Sequence, residues 1–136
     1  MADAAANEKH VLAYLEAIKA GDHPAAKAAF AQDASWNTAP SMPWAARFEG
    51  VDAIFDEYFA VDKGLFTTGM ASYDLVTNSV IAAGDHVVVE MTHRATGLNG
   101  KAYETDHCIV FDVRDGLIRA VREYIDSLYL KEQMMD

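Results

Sequence analysis

A strand, a tight turn and a second strand near the end of the chain carry the side chains best suited to acid and base chemistry. Residues 103–113 and 117–125 each alternate in polarity around Arg114-Asp115-Gly116, which predicts a β-hairpin. His107 lies on the first strand and Glu123 on the second. An imidazole beside a carboxylate in an apolar cavity can take up and release a proton near neutral pH. A histidine on an apolar strand face is equally typical of ordinary core packing, and the sequence leaves both readings open.

Two further side chains are candidates for the same chemistry. Asp126 follows the second strand, where it can face a cavity or cap a C-terminal helical tail. Tyr14 lies at the edge of an apolar stripe on the first predicted helix, formed by Val11, Leu12, Leu15 and Ile18. Its hydroxyl can pack at that edge or donate a hydrogen bond into an enclosed space.

The elements that must position these groups begin with helices. The first helix ends before Gly21, and a short second helix is predicted from Pro24 through Ala25 to Ala31. A third helix, from Val51 to about Ala60, has a buried stripe of Ile54, Phe55, Tyr58 and Phe59. Between the second and third helices, residues 34–38 form a short predicted strand with Trp36 and Thr38 on one face.

The loop between this strand and the third helix is more apolar than a solvated connection. Residues 39–49 include Met42, Trp44 and Phe48. The loop either caps the core or forms a lid over an apolar cavity.

The second half of the chain has a period of two, with strands predicted at residues 70–82 and 86–96 before the hairpin. On the strand of residues 86–96 one face carries Val87, Val89 and Met91 and the other Glu90, Thr92 and Arg94. If the polar set faces solvent, it is the usual exposed face of an antiparallel sheet and implies no ligand contact. If it faces a cavity, Glu90 and Thr92 contact a ligand, and the apolar set with Cys108 and Val110 needs a second subunit to cover it. The second alternative is the working prediction, and it implies a homodimer.

Length and composition limit the number of domains, the partners and the cofactors that the chain can have. The 136 residues form one predicted domain, residues 1–136, with residues 1–7 frayed. A net charge of −10 disfavours nucleic acid and anionic membranes as partners. The single cysteine excludes an intrachain disulfide and fits a reducing cytoplasm, and no apolar run is long enough to span a membrane. The scattered histidines and the lack of a phosphate-binding loop predict no metal and no cofactor.

Several runs of the sequence resemble a known family. They are YLEAIKAGD at residues 14–22, FAQDASW at 30–36, FEGVDAI at 48–54 and VRDGLIRAVREYID at 113–126. Together they resemble the nuclear-transport-factor-2-like superfamily and, within it, the SnoaL-like group, over residues 8–134. The resemblance implies an α+β fold in which three helices cover one face of a cone-shaped, curved antiparallel sheet and enclose a pocket. That fold hosts isomerases, cyclases, dehydratases, epoxide hydrolases and non-catalytic binders, so the reaction has to be argued from the site.

The resemblance also implies roles for individual positions. Tyr14 matches a phenolic donor to a developing oxyanion in ketosteroid isomerases, whereas Thr38 occupies the position of their general base and cannot act as one. Limonene-type epoxide hydrolases place an arginine and two aspartates where this chain has Glu90, Thr92 and Glu123. The ending DSLYLKEQ from Asp126 resembles that of SnoaL-like cyclases, whose acidic proton shuttle corresponds to Asp126.

Three hypotheses follow for the function. The first is a cofactor-free acid/base enzyme of isomerase, cyclase or dehydratase type that acts on a small hydrophobic carbonyl compound. The others are a non-catalytic small-molecule-binding protein and a protein-interaction module. For the enzyme, Glu123 moves the proton, His107 orients or shares it and Tyr14 donates to the oxygen, with Asp126 as the rival of Glu123. The predicted ligand contacts are Trp36, Thr38, Trp44, Phe59, Glu90 and Thr92.

Overall fold

The computed structural model describes residues 3–66 and 73–135. Three helices lie in the N-terminal half: α1 (Ala4–Ala20), α2 (His23–Ala28) and α3, which runs through residues 51–65 as Val51–Ala53, a π-helical Ile54–Tyr58 and Phe59–Leu65. The strands are β1 (Phe30–Asn37), β2 (Arg47–Glu49), β3 (Tyr73–Ala83), β4 (His86–Thr96), β5 (Ala102–Arg114) and β6 (Leu117–Tyr124). A terminal helix, α4, consists of Ser127–Leu130 and the π-helical Lys131–Met135.

Local sequence signals explain the bounds of α1 and α2. The side chain of Asp3 accepts a hydrogen bond from the Ala6 amide and begins α1. Gly21 ends the helix in a left-handed conformation with φ of 74°, which glycine adopts without strain. Asp22 then caps α2 through the Ala25 amide, with Pro24 in the first turn. The buried side chains Val11, Tyr14 and Leu15 give α1 the face that packs on the sheet.

The six strands form one curved, open sheet in the order β2-β1-β6-β5-β4-β3. β1 pairs with β6 in parallel, and every other neighbouring pair is antiparallel. Alternate residues of β4, β5 and β6 join α1, α3 and β1 in the main core. The α+β prediction with helices over one face of a curved sheet is therefore confirmed.

Three predicted boundaries differ from the structure. Phe30, assigned to the second helix, is the first residue of β1, because α2 ends at Ala28 and the chain then pairs with β6. β2 was not predicted and lies within the segment that was read as a loop. The strand predicted at residues 70–82 corresponds to β3. Its predicted start at Met70 lies outside the described residues, and β3 begins at Tyr73.

The prediction for the two faces of β4 is wrong. Val89 is fully buried and Met91 nearly so, both in the core of the single chain. The reason is the pairing register, which sets Met91 opposite His107 and Val89 opposite Ile109 on the inner face. Glu90 pairs with Cys108 on the outer face. The apolar set of β4 therefore needs no second subunit to cover it.

No helix within residues 3–66 and 73–135 combines the length and apolar character needed to cross a membrane.

Candidate functional site

A cavity of about 560 Å³ lies between the inner face of the sheet and helices α1 and α3. This volume lies within the range of small-molecule sites. Most of its wall is apolar or aromatic, including Ile18, Leu75, Met91, Phe66 and Phe111. Ionisable side chains interrupt that wall, and two of them, His93 and His107, lie near the carboxylate of Glu123.

Glu123 is the centre of this polar group. Its Oε1 atom accepts hydrogen bonds from Nε1 of Trp36, at 3.3 Å, and from the hydroxyl of Tyr58. Its Oε2 atom lies 3.3 Å from Nδ1 of His107. The side chains of His107 and Glu123 are only 8% and 10% exposed. Both carboxylate oxygens are therefore engaged by protein donors inside the cavity.

Strand register and one irregular helical segment bring these groups together. Glu123 on β6 pairs with Ile109 on β5, so His107 is its diagonal neighbour on the same face. The parallel pairing of β1 with β6 sets Trp36 beside Val121. Tyr58 ends the π-helical part of α3, and its ring stacks on that of Trp36 with centroids 4.9 Å apart. Single π-helical turns are frequent at functional sites.

These contacts determine the charge state that the site favours. Burial acts to raise the pKa of the Glu123 carboxyl, but the hydrogen bond and charge of His107, followed by the hydrogen bonds of Tyr58 and Trp36, outweigh it. The pKa of Glu123 is therefore below its ordinary value. The cavity thus stabilises Glu123 as a carboxylate.

A second histidine, His93, lies beside this pair. The rings of His93 and His107 are perpendicular with centroids 5.3 Å apart, and the Tyr103 hydroxyl lies 3.5 Å from Nε2 of His107. Burial lowers the pKa of His93 to about 4; the charge of His107 acts in the same direction and that of Glu123 opposes it. His93 is therefore a neutral imidazole at neutral pH.

Six of the ten residues that the sequence singled out for the site line this cavity: Tyr14, Trp36, Trp44, Phe59, His107 and Glu123. Tyr14 is buried and packs edge-on against Phe30 and Phe111. Trp44 lines the cavity, whereas Met42 and Phe48 of the same apolar loop are buried in the hydrophobic core.

The other four candidates lie elsewhere. Glu90 and Thr92 are on the outer face, where Glu90 accepts a hydrogen bond from Ser79 and Thr92 donates to Asp106. The hydroxyl of Thr38 donates to the Ala45 carbonyl in its own loop. Asp126 caps α4 by accepting a hydrogen bond from the Tyr129 amide at 3.0 Å. The described residues that form the cavity wall include none of these four.

Three polar residues around the Glu123–His107 pair were missed from the sequence: Tyr58, His93 and Tyr103. Tyr58 was counted only as part of an apolar helix stripe. His93 alternates in step with Val89 and Met91 along β4. The alternation would therefore have placed His93 on the inner face, had that face been assigned correctly. Within the described parts of the chain, no three His, Cys, Asp or Glu side chains are grouped to hold a metal ion.

Comparisons with known proteins agree on the fold. The family model of the SnoaL-like domain matches residues 11–121. An NTF2-like protein of unknown function from Burkholderia pseudomallei K96243 superposes with a TM-score of 0.85 at 22% identity, covering 96% of this chain and 98% of its own. TerC, co-crystallized with polyporic acid, gives 0.84 at 21% identity, covering 96% and 99%. An LEH-like epoxide hydrolase from M. tuberculosis gives 0.74 at 20% identity, covering 97% and 91%. No curated protein matches the sequence. At these identities the structural likeness shows the fold alone.

Proposed function

The chain belongs to the SnoaL-like domain family, and on that premise we propose that it is a cofactor-free acid/base enzyme acting on a small hydrophobic carbonyl compound, of isomerase, cyclase or dehydratase type. The observation that carries the proposal is the buried contact between Glu123 and His107 in a largely apolar cavity. An apolar wall excludes water, which strengthens the electrostatic interaction between the two side chains. The same wall can bind an apolar ligand.

In this proposal His107 moves the proton and Glu123 orients it, which reverses the roles expected from the sequence. Protonation of Glu123 would weaken the hydrogen bonds from Trp36, Tyr58 and His107, so its carboxylate is a poor proton acceptor. Nδ1 of His107 is directed at Glu123, so the second ring nitrogen, Nε2, is the atom that exchanges a proton with the ligand in this proposal. The Tyr103 hydroxyl, 3.5 Å from Nε2, lies beside that atom.

The reaction proposed is a proton transfer next to a carbonyl group. Nε2 of His107 takes a proton from the carbon beside the carbonyl, the C–H electron pair moves into an enolate, and Glu123 stabilises the imidazolium that forms. Tyr14, on the α1 side of the cavity, is the proposed donor to the enolate oxygen. The imidazolium then returns the proton to another carbon, for isomerisation, or to a departing hydroxyl, for dehydration. For cyclisation the enolate carbon attacks a second carbonyl carbon of the same molecule, and the alkoxide oxygen formed there takes the proton.

A non-catalytic binding protein is the second candidate. The aromatic wall around Trp36, including Tyr58 and Phe59, favours a flat ligand whether or not it reacts. TerC, which shares the fold, was crystallised with the small molecule polyporic acid, and this supports a small-molecule pocket in either case.

Hydrogen exchange in heavy water tests the proposal without knowledge of the natural substrate. Hydrophobic ketones that change the fluorescence of Trp36 or Trp44 would be incubated with the protein in D₂O, and deuterium gain next to the carbonyl would be followed by mass spectrometry. We expect exchange with the natural sequence and a loss of roughly two to four orders of magnitude in His107→Gln. Asp106→Asn, which changes the neighbouring residue on the outer face, is the matched control. Binding without exchange across the panel would favour the non-catalytic alternative.

We also propose that the protein acts in the cytoplasm as a homodimer through the outer sheet face. A single cysteine supports the first point, and the half-buried outer side chains Val88, Cys108 and Val110 support the second.

A further inference from the structure

We propose that His93 is a second catalytic imidazole, which donates a hydrogen bond to the carbonyl oxygen of the ligand while His107 moves the proton. This inference rests on the proposed function and specifies how the same cavity recognises a carbonyl group. It concerns a residue that the sequence pattern did not single out.

The position of His93 is the first reason. On β4 the inner face otherwise carries apolar side chains, Val87, Val89, Met91 and Ala95, all buried. His93 interrupts this set, is 4% exposed and contributes to the cavity wall. Its neighbour across the β3–β4 pairing is Leu75, another residue of that wall. His93 therefore places an imidazole in a part of the cavity wall that β4 otherwise makes apolar, where it can contact a polar atom of a ligand.

The packing of the ring is the second reason. Among the described residues, the rings of Phe66, Tyr103 and His107 meet the imidazole at large angles, with centroid distances of 5.2, 5.3 and 5.3 Å. Such edge-to-face contacts fix the plane of the imidazole before a ligand arrives. A donor that is already oriented loses little entropy when it binds an oxygen, and preorganised donors contribute most to the stabilisation of an oxyanion.

The charges in the cavity separate the roles of the two histidines. His107 has the Glu123 carboxylate 3.3 Å away, which stabilises a proton gained by that ring. Burial and the nearby charge of His107 lower the pKa of His93, so His93 does not compete for the proton. When His107 becomes positive during the reaction, His93 is held neutral even more strongly. A neutral imidazole carries one N–H group, and this is the group that donates to the oxygen in this proposal.

A pair of ligands with and without a carbonyl group tests this inference. The probes are 2-tetralone and tetralin, which share a bicyclic shape, and their dissociation constants would be measured for the natural sequence, His93→Phe and His93→Gln. We expect His93→Phe to weaken binding of the ketone relative to the hydrocarbon roughly three- to tenfold, the range of one neutral hydrogen bond. His93→Gln retains an N–H donor and should restore part of that difference. Met91→Leu, a volume-conserving change on the same wall, is the control and should leave the ratio unchanged.

The outcomes separate this inference from the proposed function. If the natural sequence binds neither compound, the proposed hydrophobic carbonyl pocket fails, and the role of His93 fails with it. If both compounds bind and their affinity ratio is the same in His93→Phe, the role of His93 is refuted and the pocket stands. A ratio that changes as much in Met91→Leu as in His93→Phe would also refute it, because general packing would then be the cause.

Discussion

Replacing His93 with phenylalanine should remove a pH-dependent loss of stability. The pKa of His93 is lowered in the folded protein to about 4, from the ordinary histidine value of 6.5, first by burial and then by the charge of His107. Well above pH 6.5 the imidazole is neutral in both the folded and the unfolded chain, and it contributes no pH dependence. Between pH 6.5 and 4 the unfolded chain binds a proton that the folded chain does not. The free energy of unfolding therefore falls as the pH falls.

The size of the effect follows from the two pKa values. A difference of about 2.5 in pKa, at about 1.4 kcal/mol per pKa unit, gives a limit of about 3 kcal/mol well below pH 4. Between pH 7.5 and 4.5 the His93 contribution to the loss of stability amounts to about 2.5 kcal/mol. The pKa of Glu123 is below its ordinary value, so the Glu123 carboxylate keeps its charge to lower pH than an ordinary glutamate does.

This contribution is measured by urea unfolding at pH 7.5, 6.5, 5.5 and 4.5. The free energy of unfolding of the natural sequence is subtracted from that of His93→Phe at each pH. The stability of His93→Phe relative to the natural sequence should increase by about 2.5 kcal/mol over that range. Exposed groups titrate alike in both proteins and cancel. Parallel stability curves for the two proteins would refute the reasoning, since His93 would then bind its proton equally well in the folded and unfolded chains.

Further substitutions at four positions probe the site and its surroundings. Tyr58→Phe removes a donor to Glu123, so the Glu123 pKa should rise and the free energy of unfolding at pH 7 should fall by about 2 kcal/mol, measured with urea. Asp126→Ala should cost about 1 kcal/mol and Asp126→Asn only a few tenths, as expected of a helix cap; a large loss of deuterium exchange in Asp126→Asn would show a catalytic role instead. Val89→Glu should unfold the single chain because Val89 is 0% exposed, whereas Val110→Glu on the outer face should leave it folded and dissociate the proposed dimer in light scattering.

Local signals account for the parts of the fold that were predictable from the sequence. The predicted strand of residues 86–96 coincides with β4, because turn residues mark both of its ends. The end of α1 at Gly21 follows from the conformational freedom of glycine. The hairpin of β5 and β6, with its Asp115-Gly116 turn, is likewise local in origin. These signals together predicted the α+β order of elements.

The composition of the cavity could not be read in the same way, because it depends on contacts between distant parts of the chain. Alternation along β4 separates two faces, but only the pairing of β4 with β5 decides which of them faces the helices. Tyr58 is 65 residues from Glu123 in sequence, and its hydroxyl reaches the carboxylate only because α3 packs over β1 and β6. Thr38 just follows the end of β1, and its hydroxyl donates to the Ala45 carbonyl within the loop. Periodicity carries no information about such placements.

The most direct measurement of the proposed mechanism is chemical rescue of deuterium exchange by free imidazole. His107→Ala and Glu123→Ala would be assayed in D₂O with the ketone that exchanges fastest, with and without added imidazole. If His107 moves the proton, His107→Ala should lose exchange by roughly two to four orders of magnitude, and imidazole entering the vacated space should restore part of it. Glu123→Ala should lose activity without such rescue, since its imidazole is still present. Retained exchange in His107→Ala together with loss in Glu123→Ala would contradict the proposal and identify Glu123 as the base.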